Sequence, residues 1–363
     1  MQSLERPKGT MLTRTISCRF ERSSVRGKCQ DRRAVALDMN CWINMADDKS
    51  ATATRVKDVL RKQVSDGKIF CPLSFGLITE LYKQAEDSRL NVGSLMEELS
   101  LNTTYANRLE VFDWEVERAV RALADAVPLD VSIFELYVPI AAYLTSEYEL
   151  QFPACLPLEE VDKVEKEVKD RLQSLTFTEL LAMRAARIGD GIFGYMKKLV
   201  APKFSEGANR TWATASGDKQ KIWMLIAASV FESHIQPAIQ KLALPIQARF
   251  LRFLEASPND DRGSMLRELL NSLPALHNHV EVMTAAAQQL TRKDKINDFF
   301  DYEIIPVPLA YASAFVSQDK GIRDLLQNRT KILKRTHCRY CPDLAGLEQW
   351  LEDDCGPHIE KAL

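Results

Sequence analysis

Short, unbroken apolar runs alternate with helical stripes over the first third of the chain. Ala34-Val35-Ala36-Leu37 is uninterrupted and stops at Asp38, the pattern of a parallel strand buried on both faces with an acid at its carboxyl end. Cys41, Trp42, Ile43 and Met45 predict a short helix, and Ser50 to Lys68 a longer one with Val56, Val59, Leu60 and Val64 on one face. Ile69-Phe70-Cys71-Pro72 predicts a second strand. Ser74 is placed to cap the next helix, whose apolar positions Phe75, Leu77, Ile78, Leu81 and Tyr82 leave Glu80 at the rim of the buried face. A helix around Val92 to Leu99, a strand over Leu109 to Phe112 and a helix from Glu115 to Ala126 follow. Strand and helix in alternation specify an α/β sheet.

The pattern changes after Pro128. From there to about Ala287 the chain reads as helices almost throughout, with Val161, Val164, Val168 and Leu172 making one stripe and Lys221 to Leu254 reading as two packed helices. The α/β signal resumes in Asp294 to Lys320. Ile304 to Ala314 reads as a buried helix bent near Pro306 and Pro308, and Phe315-Val316 as a core strand running into Ser317-Gln318-Asp319. Gly321 to Gln327 is a helix, Lys331-Ile332-Leu333 a candidate last strand, and Leu344 to Leu351 a terminal helix. The expected organisation is therefore one discontinuous α/β domain, residues 33–126 plus 288–352, interrupted by a helical insertion at 127–287 and followed by a tail at 353–363. Residues 1–32 are rich in Arg and Lys with little apolar periodicity and read as a mobile basic leader, with a targeting peptide as the alternative.

Composition narrows the class. The chain has 363 residues, 46% of them hydrophobic and 27% charged, with a net charge of −2. Bulk positive charge is thus excluded as the means of holding nucleic acid, although a local basic groove is not. The 8 cysteines follow no secretory signal and read as reduced thiols. The apolar run Ile222 to Phe231 falls short of the roughly 20 residues of a membrane span. A cytoplasmic protein with no membrane contact is expected.

Four acids at element ends carry the candidate chemistry: Asp38 after the first strand, Glu80 in an early helix, Asp301 at a helix start and Asp319 beyond a later strand. Carboxylates brought together repel one another unless a cation neutralises them. Hard oxygen donors without clustered histidine or cysteine favour Mg²⁺ or Mn²⁺ over Zn²⁺, and such an ion supports phosphodiester cleavage. Each acid also has a purely structural reading: Asp38 and Asn297 as helix caps, Glu80 as a solvated helix charge, Asp319 as a turn acid.

The strings AVALDMNCWINM, CPLSFGLITELY and NDFFDYEIIPVPLAYASAFVSQDKGIRDLL resemble the first, second and last motifs of the PIN-like nuclease domain. The resemblance covers about residues 33–126 and 288–352. It implies a Rossmann-like α/β/α fold with a central parallel sheet and a Mg²⁺- or Mn²⁺-dependent endonuclease, a hydrolase that cleaves RNA and in some members DNA. Carried over residue by residue, it assigns metal binding and catalysis to Asp38, Glu80, Asp301 and Asp319, with Asn40, Asn297 and Ser317 as polar support. Asp298 lies one helical turn from Asp301 and shares its face, so either can be the ligand. The family's frequent Thr before the last acid is replaced by Ser317, two residues earlier. A catalytically inactive RNA-binding or scaffold protein of the same fold is the first alternative. A haloacid dehalogenase-type phosphotransferase is the second; it requires a second Asp two residues after Asp38, where Asn40 stands.

Other motifs are weaker. Lys197, Lys198, Lys203 and Arg210, interleaved with aromatics that include Trp212 and Trp223, suit a single-stranded nucleic acid, but a solvated helical face with ordinary core aromatics is the preferred reading. Cys338 and Cys341 with Cys355 and His358 have zinc-like spacing, but structural or free thiols are the preferred reading. His277-Asn278-His279 is assigned to a loop or helix surface. A protein partner or inhibitor at the helical insertion and a homodimer are left open.

Overall fold

The computed structural model describes residues 13–125, 133–143, 147–184, 206–207, 210–211, 213–255, 262–288, 302 and 304–353. Eight strands lie among these: β1 (Thr13–Arg19), β2 (Arg33–Leu37), β3 (Ile69–Phe70), β4 (Thr103–Tyr105), β5 (Tyr137–Pro139), β6 (Glu147–Pro153), β7 (Ala314–Val316) and β8 (Arg339–Cys341).

The fold is mixed α/β around a small sheet of 4 parallel strands in the order β3-β2-β7-β8. Its centre is the apolar run that the sequence marks. Val35, Ala36 and Leu37 of β2 align with Ala314, Phe315 and Val316 of β7, and all six side chains are buried, as a strand covered on both faces requires. Beyond β3, Leu73 forms a parallel bridge to Thr104 of β4, and β5 closes that side antiparallel to β4. From β2 the chain therefore winds outward through β3 to β4, then returns to the centre to place β7 on the other flank of β2. The strand order reverses between β2 and β7. In open α/β sheets the crevice at the carboxyl ends of such a strand pair is where ligands bind.

Several helices follow the sequence pattern closely. Ala51–Ser65 buries Ala53, Val56, Leu60 and Val64 and is capped by Ser50, whose hydroxyl accepts from Ala53 N at 3.1 Å. Each large aliphatic side chain buried this way contributes about 1.5–3 kcal/mol relative to exposure. Ser74 caps Phe75–Leu81 as expected, accepting from Leu77 N at 3.4 Å. Helix Glu86–Ser100 passes so close to helix Phe177–Arg184 that a Cβ on Gly93 would lie 2.3 Å from Leu181 Cδ1.

Other expectations are corrected. Residues 13–32, expected to be mobile, are packed into the fold: β1 pairs along its whole length with β6, and helix Ser23–Cys29 buries Val25 and Cys29. The span 127–287 holds β5 and β6 as well as helices, and its described core residues, Phe152 and Val161 excepted, belong to the same hydrophobic cluster as β2 and β7. Leu109 to Phe112 opens helix Arg108–Asp125 and is not a strand. Ile332–Lys334 is a 3₁₀ turn, and the last strand is β8.

Helix Pro274–Ala287 shows why. Its N-cap position is Leu273, which has no side chain able to accept a hydrogen bond. The missing acceptor comes from another helix: the buried Glu115 carboxylate takes Ala275 N at 2.7 Å and Leu276 N at 3.0 Å, and Tyr311 Oη donates to it as well. His277, Asn278 and His279 are buried in this helix, not on a surface. Asn278 Nδ2 donates to the Pro306 carbonyl at 3.1 Å, and the His279 ring packs against those of Phe112 and His234.

One described helical run, Lys219–Gln240, is long and apolar enough to cross a membrane by length and composition. Its Ile222, Ala227, Val230 and Ile235 are buried in the protein core.

Candidate active site

Asp38 follows β2 and Asp319 follows β7 by three residues, so the parallel alignment of the two strands delivers both to the sheet's carboxyl edge. Each starts a helix there. Asp38 caps Met39–Ala46, its Oδ1 accepting from Cys41 N at 2.9 Å. Asp319 Oδ1 accepts from Gly321 N and Ile322 N, the latter at 2.9 Å, at the start of Lys320–Asp324.

Ser317 links the two. Its hydroxyl donates to Asp38 Oδ2 at 2.5 Å and accepts from Asp319 N at 3.2 Å. Gln318 N donates to the same Asp38 oxygen at 3.0 Å, and the Gln318 side-chain carbonyl is held by Asn44 Nδ2. Asp38 is 2% exposed and, among the described residues, has no basic side chain within ion-pair distance. Burial pushes its carboxyl up, while the hydrogen bonds from Ser317 and Cys41 pull it down. Three donors occupy most of the roughly four lone-pair sites of a carboxylate, which leaves room for one more electrophile or a proton.

Glu80 comes from helix Phe75–Leu81 and pairs with Lys83 at 3.3 Å, both side chains being less than one-fifth exposed, at 19% and 18%. Burial raises its proton affinity; Lys83 opposes that, and the charges of Asp38 and Asp319 add to it. Glu80 thus feels both other acids, which draws the second-motif acid into the field of the crevice. Lys83, Asn44 and Gln318 are contributors that the sequence reading passed over. Only Lys83 carried a local signal, three residues beyond Glu80 in the turn that follows the helix.

The remaining expected residues divide as follows. Ser317 is in place and buried. Asn40 is exposed in the first turn of Met39–Ala46. Asn297, Asp298 and Asp301 lie outside the described residues, as do Lys197, Lys198, Lys203, Trp212, Cys355 and His358. Arg210 is exposed and ion-paired with Glu206 at 3.1 Å. Cys338 and Cys341 are buried free thiols.

The donor chemistry, carboxylate oxygens with no imidazole or thiolate, fits a hard divalent cation. Among the described residues, however, no group of three or more His, Cys, Asp or Glu is arranged to hold a metal. No family model, curated protein or solved structure matches this chain.

Proposed function

We propose that the chain is a PIN-like, Mg²⁺- or Mn²⁺-dependent endonuclease acting on RNA, with the Asp38–Asp319 crevice as its active centre. The observation that carries this reading is the convergence of Asp38 and Asp319, bridged by Ser317, where the strand order reverses. A buried, hydrogen-bonded carboxylate without a cationic side chain calls for a counter-charge. Asp38, Asp319 and Glu80, with Asp301 or Asp298, would hold the ion. The bound ion supplies Lewis-acid polarisation and a water of lowered pKa.

The chain's own groups have separate tasks. Ser317 and Cys41 N–H fix the Asp38 carboxylate so that its free lone pair has one direction. Glu80, whose proton affinity burial raises and Lys83 lowers, would bind the ion or position the attacking water. Lys83 limits that rise and places an ammonium group beside the acids, where it can meet a phosphodiester oxygen. The basic segment containing Lys197, Lys198, Lys203 and Arg210 is assigned to holding the strand.

A labelled single-stranded RNA incubated with Mn²⁺ or Mg²⁺ tests this. Cleavage that stops with chelator and falls roughly 100-fold or more in Asp38→Asn and Asp319→Asn is expected. Cleavage indifferent to both substitutions would place the chemistry elsewhere. A non-catalytic RNA-binding protein of this fold is the second reading, favoured by the three donors already on Asp38. RNA binding without cleavage under either metal would decide for it.

A further inference from the structure

On the return path from Asp319 to β8 the chain runs through Leu325–Arg329 and Ile332–Lys334 to the amino end of the strand, where Arg339 N bonds to Ser313 O at 2.9 Å. The parallel topology therefore places residues 329–335 toward the sheet edge opposite the acid crevice. There they line an open cleft of about 440 Å³ together with helices Lys219–Val230, Arg262–Asn271 and Pro274–Ala287.

Five cations face this cleft: Lys219, Arg267, Arg329, Lys331 and Arg335. They come from three separate stretches of chain, so no single amphipathic helix accounts for them. Of the five, only Arg329 has its charge matched by a carboxylate among the described residues, pairing with Asp324 at 2.5 Å. The Arg267 guanidinium lies over the Trp223 ring, 5.2 Å from its centroid. Arg335 donates to His277 Nε2, which must be an acceptor because arginine has no lone pair to offer. The Lys219 ammonium donates to the Arg329 carbonyl at 3.3 Å.

The lining carboxylate, Glu281, already accepts from Trp223 Nε1 at 3.1 Å and from Lys331 N at 3.3 Å. The cleft is thus a concave, positively charged surface in which the Arg267 and Arg335 guanidinium groups are oriented by rings rather than neutralised by acids. Like charges held together in this way repel, and an anion relieves the repulsion. Arginine forks match phosphate geometry, and an indole beside them offers a flat face for a base. The volume falls within the ~300–1,000 Å³ of small-molecule sites.

We infer that this cleft is a second ligand site, distinct from the acid crevice, that takes a phosphate-bearing ligand of nucleotide size. The phosphates bind between Arg267, Arg335, Lys219 and Lys331, and the base lies against Trp223. His277 serves as a positioning residue for Arg335. Burial and the adjacent guanidinium lower its pKa to about 4, so the imidazole is uncharged at neutral pH and free to accept.

Calorimetric titration of the full chain at low salt, with inorganic pyrophosphate, ATP and a ten-nucleotide single-stranded RNA as separate probes, tests the assignment. Saturable binding is expected for at least one probe, weakened at least about tenfold in Arg267→Gln/Arg335→Gln and retained in Asp38→Asn. Lys219→Gln/Lys331→Gln changes exposed side chains only and guards against misfolding; it too should weaken binding. ATP that binds without displacement by RNA identifies a free nucleotide as the ligand, whereas RNA that displaces it identifies the phosphates of a strand. No saturable binding of any probe, or affinity unchanged in both double variants, overturns the inference. Loss of binding in Asp38→Asn would overturn the claim that the site is separate.

Discussion

Glu115 allows a quantitative test of how the helical half is fastened to the sheet half. Its carboxylate accepts two helix N–H groups and the Tyr311 hydroxyl, yet burial outweighs these donors and raises its pKa from 4.5 to about 7. A folded-state pKa above the unfolded value means that the native state binds the extra proton. Stability from this group is therefore complete below pH 4.5 and is lost as pH rises through about 7. At about 1.4 kcal/mol per tenfold change in proton affinity, the loss amounts to ~3 kcal/mol. His277 works in the opposite sense. Its pKa falls from 6.5 to about 4, so its contribution is present above pH 6.5 and lost as pH drops through 4. The two slopes oppose each other between roughly pH 4.5 and 6.5, and the wild-type curve alone is uninformative there. The informative quantity is the difference between wild type and Glu115→Gln, measured by urea denaturation from pH 4.5 to 8. Gln carries a fixed cost for turning an amide N–H toward Leu276 N, but it does not titrate. Wild type should lose ~3 kcal/mol relative to the variant across that range. Tyr311→Phe, which removes a donor to the carboxylate, should move the transition to higher pH. A difference constant across the range would refute the reasoning, because it would mean that Glu115 keeps one protonation state throughout.

Ser317→Ala removes the hydroxyl that joins Asp38 to Asp319 and should cost about 1–3 kcal/mol in denaturant unfolding, as expected for a buried bond to a carboxylate; an unchanged midpoint would mean that the bond adds nothing. Gly93→Ala sets a helix-propensity gain of at most ~1 kcal/mol against an overlap with the buried Leu181 that costs about 1–3 kcal/mol. A lowered melting temperature is expected, and a raised one would show that Leu181 has room to turn. The nuclease assay on Asp38→Asn and Asp319→Asn and the phosphate titration of the basic cleft read opposite edges of the sheet, so either can fail without the other.

The sequence by itself determined the centre of the sheet. Ala34 to Leu37 and Phe315-Val316 are apolar without interruption because a parallel strand buried on both faces has no solvent side to encode, and the acids Asp38 and Asp319 follow within three residues. The caps at Ser50 and Ser74 were equally local, since each needs only a hydroxyl three residues ahead of an unpaired N–H. Tertiary structure decided the rest. β1 alternates exposed and half-buried positions and finds its partner in β6, well over a hundred residues away, so nothing near Thr13 announces a strand. Leu109 to Phe112, apolar but for Glu110, is too short to separate helix from strand, and packing settles it as helix. Glu115 looks like any exposed helix acid until Pro274–Ala287 arrives needing a cap. His277 and the cations around it come from segments that meet only after folding. Local pattern records which face of an element is dry, but which distant group satisfies a helix end, or which charges share a cleft, is fixed by contacts that no short window of sequence contains.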